Sequence, residues 1–453
     1  MIPISLKEIC DCLSASPISC DAVISDITTD SRKITEGCLF VALPGERFDG
    51  HDFALKAIEE GAAASVVCRD FPGVSEKLIR VPDTLIALGK IAGAVRNKLS
   101  VPVAGVTGSV GKTTSKEMIS LALSPLGNVC KTKLNYNNEI GLPMTIFSAT
   151  ETDKALVGEM GMRGLGEIKY LAEILRPDIG IITNIGVSHI ERLGSRENIM
   201  KAKTEICYGL SENSVLLCGA EDYNREDIKT CVDSFGKNIK LKFFGLREDS
   251  DYYASNIETD ELGIPSFTLM PLGKKIKLSV FGHHNVRNAV GALALANELG
   301  IDMDAAITAV SSFAGDKVRQ NIVKLDGGRI TLIDDTYNAG PESMAASLRV
   351  LENIKADKKL AYLGSMLELG SASYDAHKTV YETAEEICTE FFTVGKEWSN
   401  KGDFADSEEA AKHAAVKCEE GSVAILVKGS HAMEMNKITE LLKNKFGAEK
   451  DGN

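Results

Sequence analysis

The chain contains a single tryptophan, only 6% aromatic residues, and 11 cysteines with no Cys-x-x-Cys pair. An odd, scattered set of cysteines argues against a disulfide framework or a zinc site and points to reduced thiols. No stretch reaches the roughly 18 apolar residues needed to cross a bilayer. Residues 1–16 carry Lys7, Glu8 and Asp11, which interrupt the apolar run a secretory signal requires. A cytoplasmic protein with no membrane span is therefore expected. Basic residues are also short: 51 Lys and Arg stand against 64 Asp and Glu, a net charge of −13. That balance disfavours nucleic acid and anionic membranes as main partners. It leaves small anionic substrates open, because a few local cations and backbone N–H groups can hold a phosphate. No Gly-x-Gly-x-x-Gly follows a strand, so a dinucleotide cofactor is not expected.

A length of 453 residues is too great for one ordinary core and suggests about three domains. The divisions fall at residues 1–98, 99–314 and 315–453. The first block mixes short strands and helices, with a buried strand at 38–43 before a turn-rich segment at 44–51. The second opens on an apolar strand at 101–107, followed by a glycine loop and a helix. A further apolar strand lies at 178–183, strands and turns resembling an antiparallel edge span 248–278, and an Ala-rich helix covers 286–299. The third block is the most regular. Strands at 329–334, 359–363, 391–394 and 422–427 alternate with helices after Pro341, Ser373, Asp406 and His431. Such alternation predicts an α/β fold with a Rossmann-like, doubly wound parallel sheet, which binds ligands at the carboxyl ends of its strands.

The strongest motif is Gly105-Val-Thr-Gly-Ser-Val-Gly-Lys-Thr-Thr114. Lying between an apolar strand and a helix, it has the context of a phosphate-binding P-loop. Its glycines let the backbone N–H groups of Thr107, Gly108, Ser109, Val110 and Gly111 turn toward phosphate oxygens, and the following helix adds its positive end. Lys112 would reach the β- and γ-phosphates, and Thr113, next to Thr114, would offer a hydroxyl to Mg²⁺. The usual spacing places a glycine at position 106, where this chain has Val106. The motif identifies a nucleotide without a reaction, because switch GTPases and mechanical ATPases share it.

Further motifs follow in order: Asn135-Tyr-Asn-Asn-Glu-Ile-Gly-Leu-Pro143, Glu159-Met-Gly161, Thr183-Asn-Ile-Gly-Val-Ser-His-Ile-Glu191, Ala202-Lys-Thr-Glu-Ile206, Gly282-His-His-Asn-Val-Arg-Asn288 and Asp334-Asp-Thr-Tyr-Asn338. Together with the phosphate loop, this series resembles the Mur ligases over residues 28 to 435. The resemblance implies three α/β domains: a UDP-substrate domain, a central P-loop ATPase domain and a Rossmann-like C-terminal domain. It also implies an ATP-dependent amide ligase acting through an acyl phosphate. The segments Asp30-Ser-Arg32 and Gly37-Cys-Leu-Phe-Val-Ala-Leu-Pro-Gly-Glu-Arg-Phe-Asp-Gly-His51, and Lys428-Gly-Ser430, are similar to the group that adds D-alanyl-D-alanine to UDP-N-acetylmuramoyl-tripeptide.

By that resemblance Ser31, Arg32, Gly45, Glu46 and Arg47 face the UDP-sugar end of the substrate, and Asn137 and Asn138 also face substrate. Glu159 serves as a Mg²⁺ ligand with Thr113, and His189 holds a second Mg²⁺ or orients the acyl phosphate. Asn288 meets adenine, Asp335 the ribose, and Arg319 the phosphates. Tyr337 and Asn338 face the incoming dipeptide or the nucleotide, and Lys428 and Ser430 the substrate groove. On position alone, Ser430 is equally a helix cap. Lys203 is implied to be carbamylated, which would turn a cation into an anionic oxygen ligand for Mg²⁺. That reaction needs a neutral amine, hence a value well below the usual lysine pKa of about 10.4. Without the resemblance, Lys203 reads as a solvated helix lysine.

Four positions depart from the family pattern: Val318, Gly340, Ser365 and His431. Because these lie in or beside the third domain, a Mur-superfamily ligase with a different amine is the nearest alternative. A P-loop switch ATPase is a more distant one. A monomer is the default expectation.

Overall fold

The computed structural model describes residues 1–18, 22–45, 48–219, 221, 223–260, 264–315, 321–398 and 402–447. Glu46, Arg47, Val318 and Arg319 lie outside the described residues. Three main sheets are laid out in chain order.

The first sheet is parallel and runs Ile27–Thr28, Leu39–Val41, Ala64–Cys68, Leu78–Val81. The helix Thr84–Asn97 follows, opened by the Asp83 carboxylate accepting from Ile86 N–H at 2.9 Å. Its buried positions Ala87, Leu88, Ile91, Ala92 and Val95 recur at helical spacing. This apolar face packs on the helices Gly141–Phe147 and Glu167–Leu175 of the central domain. One hydrophobic core therefore runs without a break from Ile4 and Leu6 through Leu88 and Ile91 to Ile146, Leu171 and Leu175. Arg96 ties the same seam, donating to the carbonyls of Leu175 at 2.8 Å and Arg176 at 2.9 Å.

The central sheet has nine strands. Its parallel part runs Asn128–Lys131, Asp153–Glu159, Val103–Thr107, Ile179–Ile182, Val215–Cys218, Lys240–Gly245. Val103–Thr107 and Ile179–Ile182 are buried throughout, as strands covered on both faces must be. The antiparallel edge expected over 248–278 is present as Tyr252–Thr259, Pro265–Met270 and Lys274–Lys277. The helix His283–Glu298 starts slightly earlier than the Ala-rich pattern indicated, because its first turn carries the polar residues His283, His284 and Asn285.

The third sheet runs Asn321–Leu325, Ile330–Asp335, Val423–Lys428, Lys358–Gly364, Glu390–Val394. Four of its strands are the expected parallel set. Asn321–Leu325 pairs antiparallel with Ile330–Asp335, so the sheet is not parallel throughout. The cause is a tight turn at Asp326, Gly327 and Gly328, all at positive φ, which returns the chain beside itself. Helices Pro341–Asn353 and Ser373–Ile387 cover one face, Ser407–Lys417 and Asn436–Phe446 the other. Parallel register sets Asp335 directly beside Lys428 at the carboxyl edge. Ten described cysteines are all free thiols, and among the described residues no helix is long and apolar enough to cross a membrane.

Candidate active site

Gly105, Val106 and Thr107 complete the apolar strand, so Thr107 is its last residue rather than part of the loop, and the phosphate loop proper begins at Gly108. Gly108 has φ +151° and Gly111 φ +79°. A Cβ at Gly108 would lie 1.9 Å from Thr183 Oγ1, so only glycine lets the loop pass this close to the neighbouring strand end. The N–H groups of Ser109 and Val110 donate to Asn184 Oδ1 at 3.0 and 2.9 Å. Gly186 N–H donates to Ser109 Oγ at 2.9 Å, and Thr183 Oγ1 donates to Val110 O at 2.6 Å. Residues 183–186 thus brace the loop from the side. Lys112 Nζ rests on the carbonyls of Gly108 at 2.8 Å and Ser109 at 3.2 Å, folded over the loop it belongs to.

Glu159 ends its strand almost fully buried. Its Oε1 accepts from Asn137 Nδ2 at 2.9 Å and Thr113 Oγ1 at 3.4 Å, while Oε2 is buried with no partner among the described residues. An unsatisfied buried carboxylate oxygen costs about 1–3 kcal/mol or more, so Oε2 is available as a ligand for a cation. Lys203, near the end of the helix Arg196–Thr204, is also buried, and among the described residues its Nζ makes no hydrogen bond or ion pair. Burial first, and the Lys112 charge second, hold its amine well below the ordinary lysine range. A neutral amine is the form that reacts with CO₂.

His189 has left-handed backbone, φ +64°, and its Nδ1 lies 3.0 Å from Glu368 Oε2 of the third domain. Burial, then Lys112, lowers the imidazole pKa against the opposing pull of Glu368. No group of three or more His, Cys, Asp or Glu suited to a metal occurs among the described residues. A cation beside Glu159 would therefore find at most one further His, Cys, Asp or Glu among the described residues and draw its other ligands from hydroxyl, phosphate, water or a modified lysine. Such an oxygen-rich, water-retaining set suits Mg²⁺.

A cavity of about 410 Å³ opens from the loop toward the third domain. It is lined by Lys112, Thr114, Asn288, Asp335, Tyr337, Asn338 and Lys428, which the sequence had singled out, and by Glu342, which it had not. Asn288 accepts from Ser115 Oγ at 3.2 Å, joining the two helices behind the loop. Lys428 differs from an open groove residue. Its buried ammonium donates to Asp335 Oδ2 at 2.7 Å and to Asn338 O at 2.9 Å. Ser430 Oγ accepts from Leu367 N–H at 2.9 Å, holding the adjacent loop rather than capping a helix. Asn138 likewise has a local task, its Oδ1 accepting from Gly141 N–H at 2.8 Å.

Ser31, Arg32 and Gly45 do not line this cavity. Ser31–Lys33 is a short turn opened by Asp30, with the Arg32 guanidinium exposed. That guanidinium holds the Asp30 carboxyl down at about 2. Besides Glu342, Asn184 and Glu368 were passed over as individual site residues. Asn184 lay inside a quoted motif, whereas the two glutamates carry no local sequence signal, because the chain packing alone brings them to residues 185–191.

Family models for the Mur ligase family match in three successive pieces: the "catalytic domain" over residues 23–96, the middle domain over 106–296 and the glutamate ligase domain over 318–447. The UDP-N-acetylmuramoyl-tripeptide–D-alanyl-D-alanine ligase of Escherichia coli is 35% identical over 98% of this chain and 99% of its own length. The enzyme of the same name from Bacillus subtilis is 38% identical over 83% of this chain and 82% of its own. Among solved structures, MurF from Acinetobacter baumannii superposes with a TM-score of 0.88 at 30% identity, covering 98% of this chain and 99% of that one. MurF ligase from Thermotoga maritima in complex with ADP gives 0.82 at 29% identity, covering 93% and 97%. The chain belongs to the Mur ligase family.

Proposed function

We propose that this protein is an ATP-dependent ligase that joins D-alanyl-D-alanine to UDP-N-acetylmuramoyl-tripeptide through an acyl phosphate, a step of peptidoglycan precursor synthesis. The names of the relatives support the substrates, and the ADP-bound Thermotoga maritima structure supports the nucleotide. The observation that carries the chemistry is that a buried Glu159 carboxylate oxygen and the buried Lys203 amine both lack a hydrogen-bond partner among the described residues, the first beside Thr113 of the phosphate loop and the second under the charge of Lys112.

A carboxylate is a poor electrophile at neutral pH. Attack of its oxygen on the γ-phosphorus of ATP expels ADP and leaves a mixed anhydride. The dipeptide amine then adds to the acyl carbon, phosphate departs, and the nitrogen releases a proton. Both steps depend on positioning and charge neutralisation. The 108–114 loop would cradle the phosphates, with Lys112 moving from its carbonyl rests onto them. Asn288 and Asp335 would hold adenine and ribose, and Arg319 would reach the phosphates. Thr113, Glu159, His189 and a carbamylated Lys203 would hold Mg²⁺, whose contribution is to neutralise phosphate charge. Asn137 serves by orienting Glu159. Ser31, Arg32, Gly45, Glu46 and Arg47 would take the UDP-sugar end. A cytoplasmic monomer is the setting we infer.

The amine side is narrower than the sequence indicated. Ser365 is buried with its hydroxyl donating to Val394 O at 3.2 Å, and Gly340 N–H donates to Ser343 Oγ at 3.0 Å. Neither has a side-chain group to offer a substrate. Among the described departures, Gly340 lines the cavity with no side chain to offer, and His431 stands behind the lining residue Tyr337, their rings 6.1 Å apart. The test is ADP release with UDP-N-acetylmuramoyl-tripeptide, with and without D-alanyl-D-alanine. Amide formation matching ADP release one for one is expected. ATP cleavage indifferent to the amine would overturn the reading.

A further inference from the structure

We propose that Glu368 of the third domain is a positioning residue for His189. It fixes the imidazole tautomer and ring plane, so that the Nε2 lone pair is presented to the transfer site only when the third domain is seated. The inference rests on the preceding reading in one respect, that His189 is one of the side chains gathered around Mg²⁺ at the phosphoryl-transfer site.

The contact is direct, Nδ1 to Oε2 at 3.0 Å, and joins residues 179 positions apart in the chain. A carboxylate only accepts, so the ring nitrogen facing it must carry the hydrogen. In a neutral imidazole that leaves Nε2 as the acceptor or ligand atom. Fixing one ring nitrogen through a carboxylate is the general means by which proteins aim the other. The backbone supports a dedicated contact. His189 and Glu368 are both non-glycine residues in left-handed conformation, each at φ +64°. Two such residues meeting across a domain boundary are held there by their surroundings rather than by local preference.

The surroundings are visible. Gly370 lies flat against Glu191, where an added Cβ would come within 3.0 Å of the Glu191 side chain. Glu342 holds the same loop at a second point, its Oε1 accepting from Val187 N–H at 3.3 Å. The Glu368 side chain is 54% exposed and that of His189 26%. A pair this open contributes little to stability, so its effect falls on orientation.

The experiment uses the full chain labelled with ¹⁵N-histidine, with His189→Ala to identify one ring among the seven histidines. In the wild type, His189 should show one tautomer with Nδ1 protonated. Glu368→Ala should mix the tautomers, and Glu368→Gln, whose side-chain carbonyl still accepts, should restore the single form. Turnover should fall about tenfold or more in Glu368→Ala and recover to within about threefold in Glu368→Gln, as for loss and repair of an outer-shell partner. KM for ATP should move less than about twofold, since the phosphate loop is untouched. An unchanged His189 signal in Glu368→Ala overturns the proposal, as do equal losses in the two variants. A wild-type protein that forms no amide product while its tautomer still follows Glu368 overturns the ligase reading and leaves this one supported.

Discussion

Replacing Lys428 with methionine is expected to unfold the third domain at a markedly lower temperature. The ammonium lies 2.7 Å from Asp335 Oδ2, and the two side chains are 3% and 9% exposed. Ser347 Oγ also donates to Asp335 Oδ2 at 2.7 Å. Methionine fills similar volume, so the change isolates the charge. Breaking one half of a buried ion pair typically destabilises by about 3–5 kcal/mol, because the remaining charge loses its counter-ion. Ser347 remains as a donor, so the lower end, about 3 kcal/mol, applies. A domain of this size shifts its midpoint by roughly 3–5 °C per kcal/mol, giving a drop of about 10–15 °C. Because the protein has several domains, the melt should be followed by calorimetry, with hydrogen exchange in Ile330–Asp335 and Val423–Lys428 to assign the transition. Adding Asp335→Asn to Lys428→Met removes the carboxylate charge that faces the methionine and should recover most of the loss. If the third-domain midpoint moves by less than about 2 °C, or the double variant melts no higher than the single, the pair does not have the burial energetics assigned to it.

Lys203→Ala should lower turnover by about a hundredfold or more, as loss of a charge-gathering group does. Added formate or acetate should partly rescue it, and normal activity indifferent to short carboxylates would refute the modified-lysine role. Gly108→Ala should weaken nucleotide binding more than tenfold by calorimetric titration while far-UV circular dichroism stays native, because its Cβ would collide with Thr183 Oγ1; near-normal affinity would mean that the loop has room the structure denies it. Glu8 is held at about 2 rather than 4.5, chiefly by the Lys98 hydrogen bond and then by Ser5 N–H. Its stabilisation is therefore complete above about pH 4.5 and lost as pH falls from there toward 2. Solvent screening keeps the effect below about 1 kcal/mol. Glu8→Gln should flatten the acid limb of thermal stability over that window, and an unchanged slope would contradict the assignment.

Much of this molecule is legible in the residues because parallel strands are buried on both faces and so are written as unbroken apolar runs. Ile179–Ile182 and Val423–Lys428 were readable for that reason. The phosphate loop was readable because its glycines and lysine are contiguous. Asn321–Leu325 was missed although Asp326-Gly-Gly328 is a hairpin signal, since the regular strand–helix alternation after it drew the pattern toward a wholly parallel sheet. The true situation of Lys428 was not legible either. A lysine after a strand reads as polar punctuation until the neighbouring strand places Asp335 opposite it. Glu342 and Glu368 were invisible for the same physical reason: their partners on residues 187 and 189 lie more than a hundred positions away in sequence.

The unbroken core beneath the helix Thr84–Asn97 bears on how the molecule can be cut and recombined. A chimera that grafted a relative's first 98 residues onto this chain would have to carry along the helices Gly141–Phe147 and Glu167–Leu175, or repack against them. The third domain, whose two apolar clusters take in only Phe281 from the central domain among the described residues, could be exchanged as a cassette. In mechanical terms there are two pieces rather than three, and any opening stroke belongs to the carboxyl-terminal piece.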